Sequence, residues 1–120
     1  MKAISIHLTI PQIFEIKDMV QSAAHPSIMN RLSYGELCVF NRAYFKLLTK
    51  CERHRFSIKN KGKEYKFSFR AIELEVICKL LMSDKILLTQ YAAITFRELR
   101  EQTEQQSEQL KASFLAQFGD

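Results

Sequence analysis

At 120 residues and a net charge of +5, the chain is the size of one ordinary domain, and its 47% apolar content is enough to bury a core without staples. Three Gly, two Pro and the lack of any low-complexity run or fixed repeat argue against a disordered chain, a loop-rich disulfide scaffold or a solenoid. No apolar run approaches the roughly 20 residues that cross a bilayer, and the opening "MKAISIHLTIPQ" alternates with polar residues where a signal peptide would be continuously apolar.

The expectation is therefore a cytoplasmic protein with no membrane partner, folded as one domain over residues 1–120. Three cysteines, Cys38, Cys51 and Cys78, are an odd count in apolar-rich segments and are expected as reduced, buried thiols.

Ile4, Ile6, Leu8 and Ile10 alternate with Ala3, Ser5, His7 and Thr9, the period-two pattern of a half-buried strand. Thr9 then has capping chemistry, Pro11 is tolerated in a first helical turn and Gln12 stands at capping-box spacing, so a helix is predicted from 11 to about 22. Ile13, Phe14, Ile16, Met19 and Val20 form its buried face. His25 precedes Pro26 and is biased away from helical geometry, so a connector is predicted to about Leu32.

Ser33-Tyr34-Gly35-Glu36 is a second capping box, opening a helix to about Glu52 whose core face holds Leu37, Phe40, Tyr44, Leu47, Leu48 and Cys51. The stretch "RHRFSIKNKGKEYKFSFR" that follows reads as a β-hairpin over about 54–69 with Lys61-Gly62 at the tip. Its register places Phe56 opposite Phe67 and Ile58 opposite Tyr65 on an apolar face, with Ser57 opposite Lys66 and Lys59 opposite Glu64 on a polar one. Ala71, Ile72, Leu74, Val76, Ile77, Leu80 and Leu81 fit a helix ending near Ser83.

A last long helix begins near Asp84. From 86 to 96 it is apolar nearly all round and is expected to be central, whereas "RELREQTEQQSEQ" is polar on every face, with Arg97/Glu101 and Arg100/Glu104 at helical spacing. The fold class is α+β and predominantly helical. A short N-terminal strand and the hairpin form a small antiparallel sheet packed on helices over 1–83, and the long C-terminal helix occupies 84–120.

The charge is local. Residues 53–70 hold seven Lys and Arg against Glu64 alone, a +6 that exceeds the +5 of the whole chain. On the preceding helix Arg42, Lys46, Lys50 and Arg53 fall within about 80° of one another at about 100° per residue, opposite the core face. This one-sign stripe runs into the hairpin, where mixed signs are usual for a merely solvated face. Such a patch suits phosphate, whose counterions are released as Lys and Arg neutralise it. Tyr65, Phe67 and Phe56 are candidate base-stacking rings, although their shared parity places them in the core.

Chemistry is sparse. Cys51 and His54 have Cys-x-x-His spacing, yet Cys38 lies about 140° around the helix from Cys51, so no metal site is expected. His54 amid Arg53, Arg55 and Lys59 admits a phosphodiester-cleaving role, and Glu73 and Glu75 point in different directions on one helix. No cofactor motif is present.

The favoured reading is a non-enzymatic accessory protein that binds a DNA or RNA backbone through Arg42, Lys46, Lys50, Arg53, Arg55, Lys59, Lys61, Lys63 and Lys66. The competing one is a protein-interaction module, an adaptor or inhibitor whose basic patch meets an acidic protein. Its working surface, or that of a homo-oligomer, would be Leu87, Leu88, Tyr91, Leu110, Phe114 and Phe118 on the C-terminal helix. In these expectations Arg42, Lys46 and Lys50 are exposed and replaceable by Glu without loss of fold.

Overall fold

The computed structural model describes residues 3–55, 62–82 and 90–118, without the side chains of Phe114 and Phe118. In chain order the elements are β1 (Ala3–Thr9), α1 (Ile10–Ala23), α2 (Pro26–Met29), α3 (Tyr34–Arg53), β2 (Glu64–Arg70), α4 (Ala71–Leu81) and α5 (Gln90–Phe118). The fold is α+β and predominantly helical, with a two-stranded antiparallel sheet packed on helices and a long C-terminal helix. His54 and Arg55, expected to open the first arm of the hairpin, instead form the turn that ends α3, their N–H groups bonded to the Cys51 and Glu52 carbonyls; the rest of that arm and the start expected for the last helix lie outside the described residues.

The sheet joins the two alternating stretches. Ile4 pairs with Phe69, Ile6 with Phe67 and Leu8 with Tyr65. All three β1 residues and both phenylalanines are buried, while Ala3, His7, Lys66, Ser68 and Arg70 face out. Because side chains alternate, these pairs place one continuous apolar face on the helices. Phe69 alone, fully buried, contributes about 2–3 kcal/mol.

Helix starts follow the predicted chemistry. Thr9 Oγ1 accepts the Gln12 N–H at 3.3 Å and Gln12 Oε1 accepts the Thr9 N–H at 2.9 Å. Ser33 and Glu36 repeat the arrangement at 3.2 and 2.9 Å. The connector holds one short turn, α2, where the His25 ring accepts the Ser27 N–H beside Pro26. Pro26 fits a first turn because its missing N–H is one a helix start leaves unbonded anyway.

The central helix is α4, which packs on α1, α3, α5 and β2 and buries Leu74, Val76, Ile77, Cys78, Leu80 and Leu81 around most of its circumference. That place was expected for 86–96. The described part of that stretch buries Ala92 and Thr95 but leaves Tyr91 and Ile94 exposed, so it is a surface helix with one inner face. No helix among the described residues is long and apolar enough to cross a membrane.

At 1.5 Å per residue, the 29 residues of α5 extend about 43 Å, close to the 50 Å long axis of the molecule. Its polar stretch lies folded back along β1. Gln102 Oε1 accepts the His7 N–H at 2.7 Å while Gln102 Nε2 donates to the His7 carbonyl at 3.0 Å. Gln106 Oε1 accepts the Ser5 N–H at 3.0 Å, and its Nε2 donates to the Ser5 carbonyl. Residues four apart on a helix rise about 6 Å and residues two apart on a strand about 6.8 Å. Two amides on one helix face thus match two successive outward peptide groups of an edge strand.

Candidate nucleic-acid interface

The C-terminal half of α3 lies along β2 and the start of α4. Lys46 Nζ donates to Glu73 Oε1 at 2.6 Å, Lys50 Nζ sits 5.2 Å from the centre of the Phe69 ring, and the His54 ring lies 4.7 Å from Tyr65 and 5.8 Å from Phe67. These three residues recur every fourth position, so they occupy one flank of the helix. Their partners, read from Glu73 back to Tyr65, run in the opposite chain direction.

This geometry corrects the expectation that Arg42, Lys46 and Lys50 are all exposed. The stripe spans about 80° of helix, enough for its trailing edge to turn inward against the sheet. The Lys46 side chain is 36% exposed and its partner Glu73 is 1% exposed. Glu73 Oε1 also accepts the Arg70 N–H at 2.7 Å, fastening the start of α4, while Oε2 is buried without a hydrogen-bond partner. Burial, followed by the positive charges of Arg53 and Lys46, holds the Lys50 ammonium below its ordinary value of 10.5. A glutamate at position 46 would face Glu73 directly.

The other predicted cations separate into groups. Arg42, Arg53, Lys63 and Lys66 are exposed; Lys63 Nζ lies 5.2 Å from the Tyr65 ring centre, and Arg55 Nη1 is 3.4 Å from Glu52 Oε1. Lys66 stands on the outer sheet face opposite His7, in line with exposed Arg70. Lys59 and Lys61, with Phe56, lie outside the described residues. Phe67 is buried and Tyr65 half-buried, so those rings belong to packing.

Sequence reasoning missed the apolar part of this surface. Tyr34 is 83%, Phe45 72% and Leu48 41% exposed. Phe45 lies about 60° from Arg42 around the helix, so the 100° rule alone puts it outside the core face. Leu48, counted among core positions, sits at the edge of that face. Cys38, expected buried, is exposed for the same angular reason.

Cys51 and Cys78 are buried, and burial pushes both thiols up to about 11, leaving them protonated at neutral pH. The Cys51 S–H donates to the Ile13 carbonyl at 3.8 Å. Among the described residues no three His, Cys, Asp or Glu side chains gather at metal-binding distance. A cavity of about 220 Å³ lies between α4 and α5, lined in part by Cys78, Arg100, Glu104 and Ser107.

Of the expected partner surface, Tyr91 is exposed and Leu110 packs against the core. Leu87, Leu88 and the side chains of Phe114 and Phe118 are outside the described residues. Exposed Leu115 extends this surface beyond the predicted set. The chain matches no family model, no curated protein and no solved structure.

Proposed function

We propose that the protein is a non-enzymatic, cytoplasmic accessory factor that grips a nucleic-acid phosphate backbone without reading bases. The observation that carries this reading is the distribution of ion pairs. Lys17, Lys46, Lys79 and Arg100 each have a carboxylate within 2.9 Å, whereas Arg42, Arg53, Lys66 and Arg70 have none among the described residues. Uncompensated cations on the outward face of α3 and on the outer face of β2 are the kind of group that sequence-independent phosphate binding requires. Lys59, Lys61 and Lys63 extend the same charge in sequence, with Arg55 beside Glu52, while Lys46 and Lys50 support it from beneath.

A second reading, a protein-interaction module for an acidic protein, is favoured by Phe45 and Leu48 beside Arg42, since exposed apolar groups ringed by one sign of charge also serve protein partners.

Fluorescence anisotropy with labelled single- and double-stranded DNA and RNA across a salt series separates the two. For duplex DNA the logarithm of affinity should fall with the logarithm of salt at about 0.9 per phosphate engaged. In Arg42→Glu/Arg53→Glu/Lys66→Glu this slope should shrink by about 2–3 and low-salt affinity fall at least about tenfold. Exposed substitutions of this kind change stability by about 0.5 kcal/mol or less each, so the fold persists. Absence of binding at low salt overturns the phosphate reading.

A further inference from the structure

The outward face of α3 and the outward face of α5 are complementary, and we infer that they join copies of this chain head to tail. On α3, Tyr34, Phe45 and Leu48 form an exposed apolar seam, with Arg42 and Arg53 beside it. On α5 a stripe spaced alternately by three and four residues is exposed throughout: Tyr91 and Ile94, then Glu98, Glu101, Gln105 and Glu108, then Ala112 and Leu115. Helix α3 packs on α1 and α4, and α5 packs on α1, α4 and β1. Both outward faces are exposed, so neither covers the other within one copy and they can meet between copies.

The spacings fit as well as the signs. Seating Phe45 and Leu48 against Tyr91 and Ile94 places Arg42 about 7 Å along α3 and Glu98 about 8 Å along α5 when the helices run antiparallel. Glu98 accepts one hydrogen bond from Gln102 at 3.1 Å, and neither Glu98 nor Glu101 has a cationic partner among the described residues. Each face alone is an uncompensated charge beside exposed rings and aliphatic groups. Together they neutralise one another and remove those groups from water. The two surfaces being different, the contact is heterologous and continues from copy to copy unless it closes into a ring. A further consequence is competition, since Arg42 cannot meet Glu98 and a phosphate at once.

Sedimentation velocity on the full chain, free of nucleic acid, tests this independently of the proposed function. At low salt the weight-average sedimentation coefficient of the wild type should rise with concentration through the micromolar range and fall again as salt is added. Arg42→Glu and Glu98→Lys should each stay monomeric, and an equimolar mixture of the two should associate, because each then offers the face the other lacks. Phe45→Ala should weaken wild-type association at least about tenfold, as loss of a central aromatic anchor does. A wild type that stays monomeric at hundreds of micromolar, single variants that associate unchanged, or a mixture that stays monomeric would each overturn the inference.

Discussion

Two long helices flank the same two-stranded sheet with opposite chemistry. On the β1 side, α5 offers the neutral amides of Gln102 and Gln106, which bond the backbone of Ser5 and His7 and end the sheet with its peptide groups satisfied. On the β2 side, α3 offers two ammonium groups and an imidazole, which lie over rings and reach one buried carboxylate. The amide flank is closed and directional. The cationic flank is partly compensated, and its uncompensated remainder, Arg42 and Arg53, faces outward. A helix can thus carry a one-sign stripe whose inner edge serves packing while its outer edge faces solvent.

The largest break in this comparison is expected from Lys46→Met. It leaves the Glu73 carboxylate buried without its counter-ion and should lower unfolding free energy by about 3 kcal/mol. Urea melts would read the loss as a lower midpoint, and an unchanged midpoint would mean that water reaches Glu73.

Next, Gln102→Ala/Gln106→Ala removes the four hydrogen bonds to β1 and should cost about 2 kcal/mol. It also bares the β1 edge, so light scattering should show a higher tendency to associate edge to edge. Retained stability would show that α5 is held to β1 by its apolar contacts alone.

The smallest effect concerns pH. A hydrogen bond from Lys79, with the Ser33 backbone N–H, holds the Glu36 carboxyl at about 2, down from 4.5. A carboxyl whose value is lowered in the folded state contributes stability that is fully present above its unfolded value and disappears as pH falls through the folded one. The wild type should therefore lose a little thermal stability between pH 4.5 and 2 that Glu36→Gln has already lost. Identical pH profiles would remove this capping carboxylate from any part in acid stability.

Much of the scaffold was legible in the chain. Thr9-Ile10-Pro11-Gln12 and Ser33-Tyr34-Gly35-Glu36 announced two helix starts because capping is a local matter of four residues. The alternation from Ala3 to Ile10 announced β1, and its antiparallel partner followed from the need of a small sheet for a second apolar face. Less legible was which cations of the stripe would turn inward. Angular position on α3 puts Lys46 and Arg53 about 20° apart, yet one meets Glu73 and the other faces out, and that difference depends on where β2 and α4 lie. Gln102 and Gln106 carried no signal at all, for a glutamine on a polar helix looks the same whether it faces water or a strand. Phe45 is readable by angle, although an aromatic residue on a helix is most often in the core.

The pairing of Ser5 and His7 with Gln106 and Gln102 has a consequence for how the chain is made. β2 is synthesised some sixty residues after its ladder partner β1, and the glutamines that seal the other edge of β1 later still. With translation running at about 5–20 residues per second, the sheet edge stays open for several seconds after both strands have left the ribosome. A nascent chain halted before Gln102 would present an apolar-faced strand with unbonded peptide groups, the feature that chaperones hold and aggregates recruit. The last helix is, in that sense, the lid that ends the vulnerable phase of this protein's own birth.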